Sequence, residues 1–303
     1  MSAPLPSLRS TLLAWTDESL RDLPWRRTRD PWAILVAETM LQQTQVARVE
    51  DRWERFLRRF PDATACAAAP AADVLREWAG LGYNRRALLL HRTATAVRDE
   101  HGGVVPSDLA ALVALPGVGP YTARAVRAFA FETAAAPVDT NIGRVLARLC
   151  GARLGPAEAQ RLADALVPVD DVWRWNQGIM ELGATVCSKR SPACGTCPVA
   201  AGCAWRGDGP DPADGSAGVS RPQAAFAGSD RQLRGLVIDV LLGGRRRETE
   251  VGDLMGIGDD DRRRRVVDGL VADGLIERVG EQLQLPGDRQ DGPVSEASNA
   301  SIA

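Results

Sequence analysis

Two acids in this 303-residue chain stand where a carboxyl could do proton chemistry. Glu38 interrupts AILVAETMLQQTQV (33–46), a stretch that is apolar on most faces of a helix, so its carboxyl is expected to be partly buried. Burial penalises the charged form, and a carboxyl raised toward neutrality can donate a proton. The plainer reading is a carboxylate satisfied by backbone or Arg, and for a lone Glu the residues alone favour it. Asp139, in PVDTN (137–141), precedes an apolar-periodic stretch over 142–149, where capping a helix is the default role.

Two further constellations carry chemistry. LPGVGPYTA (115–123) joins two expected helices. Gly117 and Gly119, on either side of Val118, allow a tight turn and close backbone approach, and Pro120 opens a helix whose free N–H groups can hold an anion. Such a hairpin could grip a phosphate without Lys or Arg, although an ordinary helical turn would read the same way. Four of the six Cys cluster, Cys187, Cys194, Cys197 and Cys203, with gaps of 6, 2 and 5 residues. In an intracellular chain that group reads as a metal site before disulfides, and four thiolates suit a structural zinc or an iron–sulfur cluster. Spacing does not separate the two, though a compact run in one loop leans toward a cluster. Cys66 and Cys150 are isolated and read as core.

Composition limits the alternatives. The basic residues are 36 Arg and one Lys, Lys189, which excludes most lysine chemistry; two His, His91 and His101, cannot build a three-histidine metal site. Net charge is −2, yet residues 1–205 hold 24 basic and 21 acidic side chains against 13 and 18 in 206–303. That step marks a domain boundary, and it leaves nucleic-acid binding to local geometry, since bulk charge will not supply it. No stretch approaches a membrane span, and a soluble cytoplasmic, nucleoid-associated protein, monomeric by default, is expected.

The elements that must position these residues are helical. Helical periodicity runs over 8–15, 32–46, 53–60, 73–78, 86–97, 109–115, 121–131 and 142–149, with Ser107 as a start signal before one helix. A first domain is expected over 1–205, a Gly/Pro/Asp/Ser-rich linker over 206–228, and a small module over 229–286. Within the last, helical stretches at 230–242, 249–255 and 260–272 precede LIERVGEQLQL (275–285), which alternates around a Gly as a hairpin would, describing a winged helix. Residues 287–303 read as a disordered tail. The RRRR run (262–265) reads more readily as a solvated helix face than as a phosphate contact.

In order, LPWR (23–26), ETMLQQTQV (38–46), GLGY (80–83), LPGVGPYTA (115–123), VDTN (138–141) and the 6-2-5 Cys run resemble the helix-hairpin-helix DNA glycosylases with an iron–sulfur loop, and within them the MutY-type adenine-DNA glycosylases. The resemblance covers 20–205. It implies an all-α glycosylase domain, a [4Fe–4S] cluster on Cys187, Cys194, Cys197 and Cys203, and mismatched double-stranded DNA as partner. It also implies Glu38 as proton donor to adenine, Asp139 as stabiliser of the sugar cation, Tyr121 and Asn141 as pocket residues that position Asp139 and water, and Arg26 as a contact to the base. Gln43 and Tyr83 would fill the helix beside the unflipped partner base, and Gly117, Val118 and Gly119 would meet the backbone. Endonuclease III-type relatives carry a lyase Lys where this chain has Tyr121, so base removal without lysine-dependent strand cleavage is expected.

The chain departs from that pattern in two places. Asn84 stands where the family often has a second Tyr, a change expected to tune the interface without abolishing activity. Many members also inspect 8-oxoguanine with a mostly β domain through a loop of Phe, Ser and His; here no His follows His101, and Phe226 is the only Phe beyond 131. Adenine opposite 8-oxoguanine or guanine is the expected substrate. A relative that removes another mismatched base, or a DNA-binding protein without catalysis, remains the alternative.

Overall fold

The computed structural model describes residues 5–216, 225–256 and 259–288. The chain divides into two compact units, one of residues 1–68 with 80–225, the other of 69–79 with 226–303. In chain order the helices are α1 (Leu5–Ser19), α2 (Pro31–Leu41), α3 (Val46–Arg59), α4 (Ala63–Ala68), α5 (Ala71–Glu77), α6 (Arg85–Glu100), α7 (Leu109–Ala114), α8 (Pro120–Phe129), α9 (Thr140–Cys150), α10 (Pro156–Leu166) and α11 (Val172–Thr185). Then come α12 (Asp230–Leu242), strand β1 (Arg246–Arg247), α13 (Glu248–Leu254), α14 (Asp260–Ala272) and strands β2 (Glu277–Val279) and β3 (Gln282–Gln284).

The first unit is built around α2. Its residues 32–40 are buried without a break, so it has no polar face to turn to water, and α3, α6 and α8 pack against it. Asp30 caps it, accepting from the Trp32 N–H, and Pro31 occupies the first turn. The two indoles beside it are tied to backbone: Trp32 Nε1 donates to Phe60 O at 3.0 Å and Trp53 Nε1 to Ala33 O at 2.8 Å. α11, absent from the periodicity reading, packs against α1, α8 and α9. Its close fit depends on glycine: a Cβ on Gly178 would lie 2.0 Å from Thr16 Oγ1.

Several sequence expectations are corrected. The helix expected over 32–46 ends at Leu41, because Gln43 takes a left-handed conformation (φ 55°) and a new helix starts at Val46. The four polar residues between contain neither Gly nor Pro, so no stop signal was visible. Asp108, not Ser107, caps α7, accepting from the N–H groups of Ala110 and Ala111. Helices α4, α10 and α11 had no counterpart in the sequence reading.

Residues 206–216, expected as linker, are instead held within the first unit. Arg148 pairs with Asp211 at 2.6 Å, Arg153 donates to Gly215 O, Ser216 Oγ accepts from Leu154 N–H, and Ala213 is buried. Within the expected linker, 217–224 lies outside the described residues, as does 289–303 of the expected tail.

In the second unit the strands form an antiparallel sheet in the order β1-β3-β2, with Arg246 opposite Leu283 and Arg278 opposite Leu283 on the other side. Residues 69–79 also belong to this unit, although they were expected in the first: Arg76 forks onto Asp288 at 2.6 and 2.8 Å and Ala72 N–H donates to Pro286 O. In the RRRR run, Arg262, Arg263 and Arg264 pair with Asp230, Asp260 and Asp261, which accords with a solvated helix face. Among the described residues no helix is long and apolar enough to cross a membrane.

Candidate active site

α2 carries Glu38, α8 carries Tyr121, and the start of α9 carries Asp139 and Asn141; all four line one pocket of about 230 Å³ in the first unit. Glu38 is 6% exposed, which follows from its place on a helix buried on every side. Burial pushes its carboxyl up to about 7, reinforced by the nearby charge of Asp139 and opposed by a hydrogen bond from the Tyr121 hydroxyl. The same burial and the two acids raise Tyr121 well above its ordinary value, so it is a neutral donor at physiological pH. The pocket therefore holds one carboxyl poised to keep its proton near neutrality, with a hydroxyl aimed at it.

Asp139 caps α9 and faces the same pocket. Its Oδ1 accepts from the N–H of Asn141 at 3.0 Å and of Ile142 at 2.7 Å, while Oδ2 accepts from Asn141 Nδ2 at 3.1 Å. Burial raises its pKa, and the two backbone N–H groups and Arg144 pull the other way. The capping role and a role in the pocket are thus not rivals: the cap bonds fix the carboxylate in place, and the helix N-terminus favours its charge.

Arg26 also lines the pocket, as a 3₁₀ turn over Pro24–Arg26 presents it. It is 8% exposed, and each of its three nitrogens donates: Nε to Gln177 Oε1 at 2.7 Å, Nη1 to Arg21 O at 2.9 Å and Nη2 to Glu181 Oε2 at 2.8 Å. Glu181 is completely buried; burial alone would raise it, but hydrogen bonds from Arg21 and Arg26 outweigh this and hold it below the ordinary carboxylate range. Gln177 and Glu181 lie on α11, which the sequence reading passed over. Asp171 before Val172, and the helical spacing of Val172, Trp175, Ile179 and Leu182, are signals that could have found this helix, but only the fold shows that the two face Arg26.

A second set of side chains missed in the sequence connects this pocket to the Cys loop. Arg144 on α9 donates through Nη2 to Asn141 Oδ1 (2.8 Å) and Gly183 O (2.6 Å), and through Nε to Cys187 O (2.7 Å). Cys187, Cys194, Cys197 and Cys203 ring one cavity with an apolar lining that includes Val145, Leu182 and Val199. Among the described residues no three Cys, His, Asp or Glu converge closely enough to share a single ion. Arg148, 1% exposed, donates to Cys187 Sγ at 3.3 Å and lies over the Trp205 ring at 4.6 Å. Cys66, fully buried and pushed up to about 12, is inert core.

The remaining expected contacts lie on the surface of the same unit. Gly117 has φ 78°, and a Cβ there would lie 2.7 Å from Leu89 Cβ, so glycine is required. Gly119 has ordinary extended backbone, and a Cβ there would meet nothing within 4 Å; the space it leaves is outside the hairpin, where a backbone could approach. Val118 between them is buried, and its N–H donates to Leu115 O. Gln43 and Tyr83 are exposed, both at positive φ. Lys189 is exposed in the Cys loop, away from the residues that line the pocket.

Residues 36–169 match the HhH-GPD superfamily of base excision DNA repair proteins. An adenine DNA glycosylase of Mycolicibacterium smegmatis is 44% identical over 288 residues, covering 93% of this chain and 97% of that one. This chain belongs to the MutY-type adenine DNA glycosylase family. The human adenine DNA glycosylase is 40% identical over 223 residues, 67% of this chain and 40% of its own length. Among solved structures, a thermostable thymine-DNA glycosylase superposes with a TM-score of 0.63 at 32% identity, covering 66% of this chain and 97% of that one. For a MutY-type chain, the mycobacterial match is the more informative about the second unit, because it runs through nearly the whole length of both proteins.

Proposed function

We propose that this MutY-type chain removes mispaired adenine from duplex DNA by cleaving the N-glycosidic bond, in base excision repair. The observation that carries the proposal is one pocket holding a buried Glu38, pushed up to about 7 and bonded by Tyr121, beside Asp139, whose carboxyl oxygens are held by Asn141 and the Ile142 N–H. A base inside a duplex is out of reach, so it must be turned into such a pocket. Adenine is a poor leaving group until protonated, and Glu38 is the proton donor. As the bond lengthens, positive charge grows on the sugar, and Asp139, fixed by Asn141 and Ile142, stabilises it. Tyr121 keeps Glu38 in place, and Arg26, clamped by Gln177 and Glu181, is positioned to hydrogen-bond the base. Pure binding would need neither buried acid.

Tyr121 stands where a lyase lysine would be, and Lys189 is on the Cys loop, so the product is an abasic site with the strand intact. Four thiols around one cavity are a donor set that fits an iron–sulfur cluster, and by the family resemblance Cys187, Cys194, Cys197 and Cys203 would hold a [4Fe–4S] cluster. When bound, the cluster supplies a rigid fastening for the 187–203 loop, at the far end of the Arg144 chain of hydrogen bonds. Gly117, Val118 and Gly119 present backbone to a phosphate, and Gln43 and Tyr83 wedge into the helix at the partner base. The second unit is read as a winged-helix-like module; lacking any His, it cannot read 8-oxoguanine through the family's usual loop. The enzyme acts as a monomer.

The test is single-turnover base release from labelled duplexes carrying adenine opposite 8-oxoguanine, guanine or thymine, with products resolved before and after alkali. Strand scission only after alkali, fastest opposite 8-oxoguanine or guanine, is the expected result. No adenine release from any duplex would refute the assignment and move the chain toward a relative acting on another base.

A further inference from the structure

Arg86, the second residue of α6, is 9% exposed, and its guanidinium sits between two loops of the first unit. Nη1 donates to the carbonyls of Thr39 (2.8 Å), Met40 (2.9 Å) and Gln42 (2.7 Å), which end α2. Nη2 donates to Thr44 Oγ1 (3.0 Å) and to the carbonyls of Gly82 (3.1 Å) and Leu81 (3.4 Å). The cation also lies 5.5 Å from the centroid of the Tyr83 ring. Helix ends leave carbonyls unsatisfied, and a cation there is favoured by the helix dipole. Burial pushes Arg86 down only to about 10, so it carries its charge at neutral pH.

What distinguishes this clamp is what it holds. Gln43 (φ 55°) and Tyr83 (φ 49°) are two of only four described non-glycine residues with positive φ, and both are exposed. Such strained conformations persist where surrounding structure over-determines them, and they cluster at functional sites. Here the over-determination comes from one guanidinium, which grips the residues on both sides of Gln43 and those just before Tyr83. A fork of five donors can reach both loops at once; an ammonium, a single point with three donors, cannot.

We infer that Arg86 is a positioning residue that couples the Gln43 loop to the Tyr83 loop, so that the two wedges enter mismatched DNA as one unit. The inference rests on the DNA-wedge reading given above. Arg86 touches neither base nor sugar in this role; it acts through the two loops.

The test uses the full chain and a duplex with a mispaired adenine and 2-aminopurine next to the partner base, whose fluorescence rises on unstacking. Wild type, Arg86→Lys, Tyr83→Ser, Gln43→Ala and the Arg86→Lys double variants are compared for the fluorescence rise and for single-turnover base release, with urea unfolding as the check on folding. Coupled neighbours typically depart from independence by about 2- to 100-fold. The expected result is that Arg86→Lys stays folded, loses most of the fluorescence rise and slows base release by about tenfold or more. Adding Arg86→Lys to Tyr83→Ser should then cost little further. Independent, multiplying losses, or a folded Arg86→Lys with the full fluorescence rise, would overturn the coupling while leaving the wedges in place. If Tyr83→Ser and Gln43→Ala themselves match wild type in both readouts, the wedge reading fails, and the coupling with it.

Discussion

Replacing Glu38 by Gln should stop the enzyme and stabilise it at once, and the pocket sets both magnitudes. In the unfolded chain this carboxyl titrates at its ordinary 4.5, whereas burial holds it at about 7 in the native state. Between those values the native protein keeps a proton that the unfolded chain has released, so stability falls as pH rises through that window. Below 4.5 both states are protonated and nothing is lost. Above about 7 the full cost stands: the gap between 4.5 and about 7, at about 1.4 kcal/mol per unit, comes to about 3 kcal/mol. Gln carries no such cost and can still accept from the Tyr121 hydroxyl. Glu38→Gln should therefore gain up to about 3 kcal/mol over wild type at pH 8 and almost nothing at pH 4.5, read from urea unfolding. Base release should move the other way. As the proposed proton donor, Glu38 is about nine-tenths loaded at pH 6 and about one-tenth at pH 8, so the wild-type single-turnover rate should drop roughly tenfold across that range. The variant should lose about 10²- to 10⁴-fold, the ordinary worth of a general acid. A flat wild-type profile from pH 6 to 8, or a variant that releases adenine at the wild-type rate, would refute the role given to Glu38.

Three other perturbations have defined outcomes. Gly183→Ala puts a Cβ 2.8 Å from Asn141 Cβ and 3.1 Å from its carbonyl; since that contact is with backbone at the start of α9, a loss of about 1–3 kcal/mol in urea unfolding and a displaced Asp139 with slower base release are expected. Arg144→Ala leaves Gly183 O, Cys187 O and Asn141 Oδ1 without their shared donor, so base release should fall more than duplex binding; equal losses in the two assays would argue against a role at Asp139. With the proposed [4Fe–4S] cluster on the four Cys, treatment with an oxidant and chelator should bleach a visible absorption and loosen 187–205 to protease, because four uncoordinated thiols around an apolar cavity lack their fastening; no visible absorption, or unchanged proteolysis, would refute the proposal.

The residue types and their order already pointed to the groups on which the proposed chemistry rests. The burial of Glu38 was legible from the flanking residues alone, but a buried carboxylate is either paired or protonated, and the residues by themselves favoured the paired reading. The Gly-x-Gly turn and the four Cys were legible as well: their conformation or donor set is a property of the residues themselves. Asp139 was legible only as a cap, since a cap is decided by its next three residues, whereas sharing a pocket with Glu38 depends on α2, α8 and α9 meeting. Residues that act on distant partners left no local trace. Arg26 needs Gln177 and Glu181 from about 150 positions away, Arg144 joins α9 to the Cys loop, and Asp211, in a segment that composition marks as linker, closes on Arg148. The break after Leu41 was invisible too, because Arg86, more than 40 residues on, takes the carbonyls that would otherwise continue the helix. Local sequence thus decides what each residue can do, since propensity, burial and ligand chemistry are short-range. Only packing decides which of them share a charge, a hydrogen bond or a pocket, since those energies fall off within a few ångströms and the chain brings the partners together from far apart.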